Sequence, residues 1–143
     1  MEFSYELTSF TGSAFIGAAA ARVADCSAAV RAGGDGVYVI RPGLSADRRT
    51  ARAYCQRASP EEPAEEAAAA AGWTVIQRRV DGRESFSRGW DDYAAGFGDP
   101  ADGDYWLGNE YIHRLTSLRA PFRLRVDMWD VQVPRFIYLF YLL

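Results

Sequence analysis

From Gly72 to Asp130 the sequence reads GWTVIQRRVDGRESFSRGWDDYAAGFGDPADGDYWLGNEYIHRLTSLRAPFRLRVDMWD, an order of strand, turn, helix, helix and strand that few folds accommodate. Trp73 to Val80 has β-branched residues at its centre and alternates apolar with polar side chains toward its end. This predicts a strand, and Asp81-Gly82 supplies a hairpin-type turn after it. Trp90, Tyr93 and Phe97 recur at three- and four-residue spacing, which predicts one apolar face of a helix. Ser87 is available as its cap, Asp91 and Asp92 lie near the positive end of its dipole, and Gly98 can close it. Asn109 can cap a second helix running to about Ser117, with Ile112 and Leu115 inward. Phe122, Leu124, Val126 and Met128 then alternate with Arg123, Arg125 and Asp127, the pattern of a half-buried strand. An aromatic stripe at helical spacing reads as packing rather than as a ligand platform, so Trp73, Trp90, Tyr93, Phe97 and Trp106 are the candidate core.

Upstream, Asp25 suits the N-cap of a short helix from Cys26 to Ala32, which Gly33-Gly34 would stop. Gly36 to Ile40, GVYVI, predicts a strand, Pro42-Gly43 a turn, and Ala51 to Gln56 its antiparallel partner. The Pro-, Glu- and Ala-rich run between Arg57 and Ala71 suits an exposed loop or a frayed helix. By arithmetic alone, Cys26 and Cys55 are either one bridge or two buried thiols.

A chain of 143 residues suits one domain and buries about two-thirds of its unfolded surface. A hydrophobic fraction of 49% with four Trp, eight Tyr and eight Phe argues against disorder and for an aromatic core. The net charge of −3 gives no reason to expect nucleic acid as a partner. All basic residues are Arg, spread along the chain, which reads as base-composition bias in the gene. Met1 to Ser9 holds Glu2 and Glu6 and no positive charge. Phe10 to Ala21 is apolar and small-residue rich, so together they make a weak imitation of a secretory signal. The C-terminal FIYLFYLL is far below the roughly 20 residues that span a bilayer; it has high β-propensity and is expected to join the sheet.

Chemistry-bearing constellations are sparse. His113 is the sole histidine, on the polar side of its helix beside Glu110 and Arg114, with no hydroxyl, thiol or second imidazole placed to work with it. Cys and His lack metal-ligand spacing. Asp99, Asp102 and Asp104 invite comparison with calcium loops, but without a terminal Glu and fixed spacing they read as a polar connection between two helices. No catalytic, cofactor-binding or metal-binding residue is assigned, and an enzyme is not expected.

The Gly72–Asp130 segment closely resembles the central part of fibrinogen C-terminal (fibrinogen-related) domains, as found in fibrinogens, ficolins, tenascins and angiopoietins. The similarity resumes upstream at Asp25-Cys26, GVYVI and AYC, and covers roughly Asp25 to Asp130. It implies an α+β fold in which a disulfide-tied N-terminal subdomain precedes part of a twisted antiparallel sheet with two helices. It also implies that Cys26 pairs with Cys55, where the family places its first disulfide, and hence secretion into an oxidising compartment. The organisation expected is an N-terminal segment 1–24, a partial fibrinogen C-terminal domain 25–130 and an unrelated apolar tail 131–143, the whole being a truncated version of the domain. The family's calcium loop and ligand pocket follow the matched region, so no cofactor is expected. The function implied is non-enzymatic extracellular recognition of a glycan, such as acetylated surface groups, or of a protein receptor. The alternative is a non-functional fragment or truncated gene model.

Overall fold

Strand β4 (Trp73–Arg79) organises the molecule because other strands hydrogen-bond along both its edges. The computed structural model describes residues 2–9, 24–43, 49–58, 72–117, 121–130 and 133–142. One edge of β4 pairs antiparallel with β1 (Glu2–Ser9), from Phe3–Arg79 to Leu7–Thr74. The other edge is shared. Its start pairs with β3 (Ala51–Gln56) at Cys55–Thr74 and Gln56–Trp73. Its end pairs with β6 (Tyr105–Trp106), whose outer neighbour is β5 (Phe97–Gly98). β2 (Gly36–Ile40) lies outside β3, while β7 (Phe122–Asp130) and β8 (Val133–Leu142) continue the sheet beyond β1, giving the order β2-β3-β4-β1-β7-β8. Among the described residues three helices join the strands: α1 (Cys26–Gly33), α2 (Trp90–Ala95) and α3 (Asn109–Thr116).

The N-terminal unit forms as its sequence dictates. The Asp25 side chain accepts from the Ser27 amide at 2.9 Å, and Gly34, with φ of +86°, closes α1. The first turn of α1 is then fixed to β4, since the Cys26 amide donates to Thr74 Oγ1 at 3.1 Å. Cys26 and Cys55 are disulfide-bonded, with Cα atoms 5.2 Å apart and a sequence separation of 29. Closing a loop of this length stabilises a fold by roughly 3–4 kcal/mol in the chain-entropy model. Cys26, Ala29, Val30, Ile40, Ala53, Cys55, Val75 and Ile76 form the buried cluster between α1 and the sheet, joined by Leu7, Tyr105, Leu107, Leu115 and Phe122.

Several local expectations need correction. The segment 2–9, read as the start of a weak secretory signal, is a strand between β4 and β7 in the middle of the sheet; the apolar run from 10 to 21 lies outside the described residues, as does the Pro-, Glu- and Ala-rich run from 59 to 71. The C-terminal apolar segment, by contrast, joins the sheet as expected, pairing with β7 through β8 from Phe122–Leu142 to Asp130–Val133. The β7 pattern predicts a half-buried strand with its charged residues in solvent, yet Arg123, Arg125 and Asp127 are 2%, 0% and 0% exposed. The reason is that this part of the sheet is covered on both faces. Arg125 Nε lies 3.3 Å from Asp127 Oδ2, and the guanidinium of Arg125 sits 4.5 Å above the Trp73 ring. A buried ion pair is tolerated when its charges find such partners.

The helix carrying the aromatic stripe is shorter than expected. Gly89 rather than Ser87 precedes it, and Gly96 rather than Gly98 ends it, with φ of +94°. A side chain at Gly96 would collide with the backbone of Trp106 and Leu107. Phe97 therefore lies on β5, and the helical spacing of Trp90, Tyr93 and Phe97 no longer places them on one buried face. Trp73 is fully buried and Tyr93, Phe97 and Trp106 are half-buried, but Trp90 is 78% exposed and is not core. Likewise Asn109 is the first helical residue of α3 and Gly108 occupies the cap position.

These burials separate two tryptophans of equal size. Trp73→Ala is expected to lower unfolding free energy by roughly 3–5 kcal/mol, because it empties a closed site. Trp90→Ala is expected to change it by no more than about 0.5 kcal/mol, as for other exposed positions. Urea unfolding followed by circular dichroism checks both; a large loss from Trp90→Ala would show that the indole is packed.

Candidate recognition surface

The most exposed large apolar side chain among the described residues is that of Trp90, at the start of α2, and the elements beneath it are rigidly tied. Tyr93 Oη donates to the Phe86 carbonyl at 2.8 Å, and Trp106 Nε1 donates to the Tyr93 carbonyl at 2.9 Å. The Phe97 ring meets Phe86 and Tyr93 edge to face, with centroids 5.0 and 5.1 Å away. The Arg88 guanidinium lies 4.7 Å above Phe97 and also pairs with Glu84 and, at 3.8 Å, Asp92. Glu84 holds the Arg88 charge and raises its pKa further above the ordinary value. Such edge-to-face and cation–π contacts contribute about 0.5–1.5 kcal/mol each beyond the area they bury.

Beside this ring cluster, Arg52, Phe97, Pro100, Tyr105, Trp106 and Tyr111 line an open cleft of about 260 Å³. Arg52 Nη1 is 2.9 Å from Asp99 Oδ2, so the rim of the cleft joins β3 to the connection after β5. The Ala101 amide and then Arg52 hold the Asp99 carboxyl below its usual range. On α3, Arg114 caps the Glu110 carboxylate at 2.7 Å and depresses its pKa, while His113 is exposed one residue away.

The residue that shapes the neighbouring loop is Asp104, only 5% exposed. Its Oδ1 accepts from the amides of Val80 and, at 3.0 Å, Asp81; its Oδ2 accepts from Glu84 at 3.5 Å. Burial pushes its pKa up, but the amides of Val80, Asp81, Glu84 and Gly82 outweigh burial and hold the carboxyl below the usual carboxylate range. The adjacent Tyr105, 1% exposed, points the other way: its hydroxyl donates to the Val75 carbonyl and accepts from the Tyr54 amide at 3.2 Å. Asp81, Arg83, Glu84, Asp99, Asp102 and Asp104 border a hollow of about 300 Å³. The three aspartates compared with a calcium loop thus come together at one hollow, but Asp104 is engaged by amides and Asp99 by Arg52. Among the described residues no group of three His, Cys, Asp or Glu is arranged to hold a metal ion.

The curled antiparallel sheet, the disulfide at its N-terminal end and the ordered turn-rich segment around Asp104 have a clear parallel. A family model for the C-terminal globular domain of fibrinogen beta and gamma chains matches residues 22–139. The chain belongs to the fibrinogen C-terminal domain family. Human angiopoietin-4 is 40% identical over 119 residues, covering 82% of the chain but 21% of that protein. The fibrinogen-like globe domain of human ANGPTL2 superposes with a TM-score of 0.66 at 33% identity, covering 82% of the chain and 49% of the solved one. A lamprey fibrin D-dimer complexed with the peptide Gly-His-Arg-Pro-amide matches with a TM-score of 0.64 at 33% identity over 82% of the chain and 34% of its own. The chain thus spans about a fifth of the angiopoietin relative and about half of the ANGPTL2 globe.

Sequence reasoning assigned the Asp104 region to a polar connection and gave Tyr105 no role. An acid between Gly103 and an aromatic pair is the signal present, but which amides it gathers depends on where β4 ends. Because the folded pKa of Asp104 is depressed, its contribution to stability is complete above the ordinary carboxylate value of about 3.9 and is lost as pH falls through the folded value. Urea midpoints measured from pH 7 to pH 2 are expected to fall less steeply in Asp104→Asn than in the parent chain. Parallel curves would show that these amides do not depend on the charge.

Proposed function

We propose that this fibrinogen-related domain is a non-enzymatic extracellular recognition module whose partner is a protein receptor, acting without a cofactor. The observation that carries this reading is Trp90, 78% exposed on a helix whose surroundings are fixed by ring contacts and side-chain hydrogen bonds. A rigid, exposed indole is the kind of residue that dominates protein–protein binding energy, since it buries a large area at little entropic cost. Membership of the family and similarity to angiopoietin-4 support recognition as the activity, and the Cys26–Cys55 bond supports an oxidising, extracellular setting. The acid–base groups of the surface, Glu110 with Arg114 and Asp99 with Arg52, are engaged in ion pairs rather than poised on a nucleophile.

Fluorescently labelled chain added to cultured human cells tests this. Saturable binding is expected that disappears after surface proteins are removed with trypsin and persists in EDTA and in excess N-acetylglucosamine. Absence of saturable binding, or retention on an N-acetylated resin released by the free sugar, would contradict a protein receptor.

A further inference from the structure

Resting on that recognition reading, we propose that the contact face is the one headed by Trp90, and that the partner presents a basic protein surface with an apolar recess for the indole. Trp90 is followed by Asp91 and Asp92, both exposed at the start of α2. Arg88 links Asp92 to Glu84, and Glu84 borders the acidic hollow, so helix and hollow form one continuous surface. Of the seven carboxylates between Val80 and Asp104, Asp104 is buried and Asp99 pairs with Arg52, which leaves Asp81, Glu84, Asp91, Asp92 and Asp102 against the guanidiniums of Arg83 and Arg88, a local excess of acid. Both guanidiniums are already occupied: Arg88 by Glu84 and Asp92, Arg83 by Asp81 at 3.1 Å. The field over this face is therefore negative, and it attracts arginine- or lysine-rich surfaces while repelling nucleic acid, sulfated glycans and anionic membranes. A second copy of the chain is also disfavoured, because a two-fold interface would set this acidic face against itself.

The chemistry divides the labour between two kinds of residue. The indole fills the recess and sets how slowly the complex separates, while the carboxylates steer the approach and make it depend on ionic strength. The same cell-binding measurement decides the matter with two variants and a salt series. Trp90→Ala is expected to weaken binding about 30-fold, the size of a hot-spot residue, while its circular dichroism and melting match the parent chain. Asp91→Asn with Asp92→Asn is expected to slow association and flatten the loss of affinity between low and physiological salt.

Equal, trypsin-sensitive binding by the parent chain and Trp90→Ala would overturn this face and leave the receptor reading standing. Tighter binding by the asparagine variant would overturn the basic partner. A dimer of the parent chain in sedimentation that Trp90→Ala converts to monomer would assign the face to self-association instead. Absence of any saturable binding by the parent chain would remove both readings together.

Discussion

The Tyr105 hydroxyl donates to the Val75 carbonyl on β4 and accepts from the Tyr54 amide on β3, joining strands that pair directly only at Cys55–Thr74 and Gln56–Trp73. Beyond those two pairs no ladder joins β3 to β4, a gap that the hydroxyl of the buried Tyr105 bridges. A backbone amide or carbonyl left in such a gap would cost about 1–3 kcal/mol, so the hydroxyl determines whether the gap is tolerable. On the neighbouring residue, the Asp104 carboxylate collects the amides that follow β4. Two successive side chains thus bind the disulfide-tied unit to β4 and β4 to the loop that carries the acidic hollow. The exposed position of Trp90 depends on both, since α2 hangs between that loop and β5.

Exposure of an indole has meaning only where the backbone beneath it is fixed, and here it is. Tyr93 and Trp106 hold α2 through hydrogen bonds to backbone carbonyls, and Phe97 closes the ring cluster from β5. The sheet is covered on both faces near β7, where Arg125 and Asp127 pair against Trp73 with no exposure at all. The charged residues of this domain therefore serve two purposes. Those of β7 lie inside and are neutralised locally, whereas Asp81, Asp91, Asp92 and Asp102 lie outside and shape a field.

Much of the architecture was legible in the sequence because it rests on local rules. The Asp25 cap, the glycine stop, the Gly36–Ile40 and Ala51–Gln56 hairpin and the β-branched centre of β4 follow from propensity and turn chemistry alone. Pairing of Cys26 with Cys55 came from family resemblance, since two cysteines do not reveal whether they meet. What sequence periodicity missed was non-local. Alternation along β7 cannot say whether one face or both are covered, so Arg123, Arg125 and Asp127 were misplaced. The stripe of Trp90, Tyr93 and Phe97 satisfied helical spacing, but Gly96 breaks the helix between its last two members, and a spacing rule does not register the break. Asp104 and Tyr105 have no periodic signature because their partners lie 20 to 51 residues away in sequence.

Tyr105→Phe offers the most direct test of the frame, because it removes one oxygen and leaves the buried ring in place. Native-state hydrogen exchange at the Tyr54 amide, read alongside urea unfolding, reports on the two bonds that oxygen makes. Loss of exchange protection at Tyr54 with a stability decrease of about 1–3 kcal/mol is the expected result. Unchanged protection and an unchanged unfolding midpoint would contradict the role given to Tyr105, and with it the coupling of the N-terminal unit to the recognition surface.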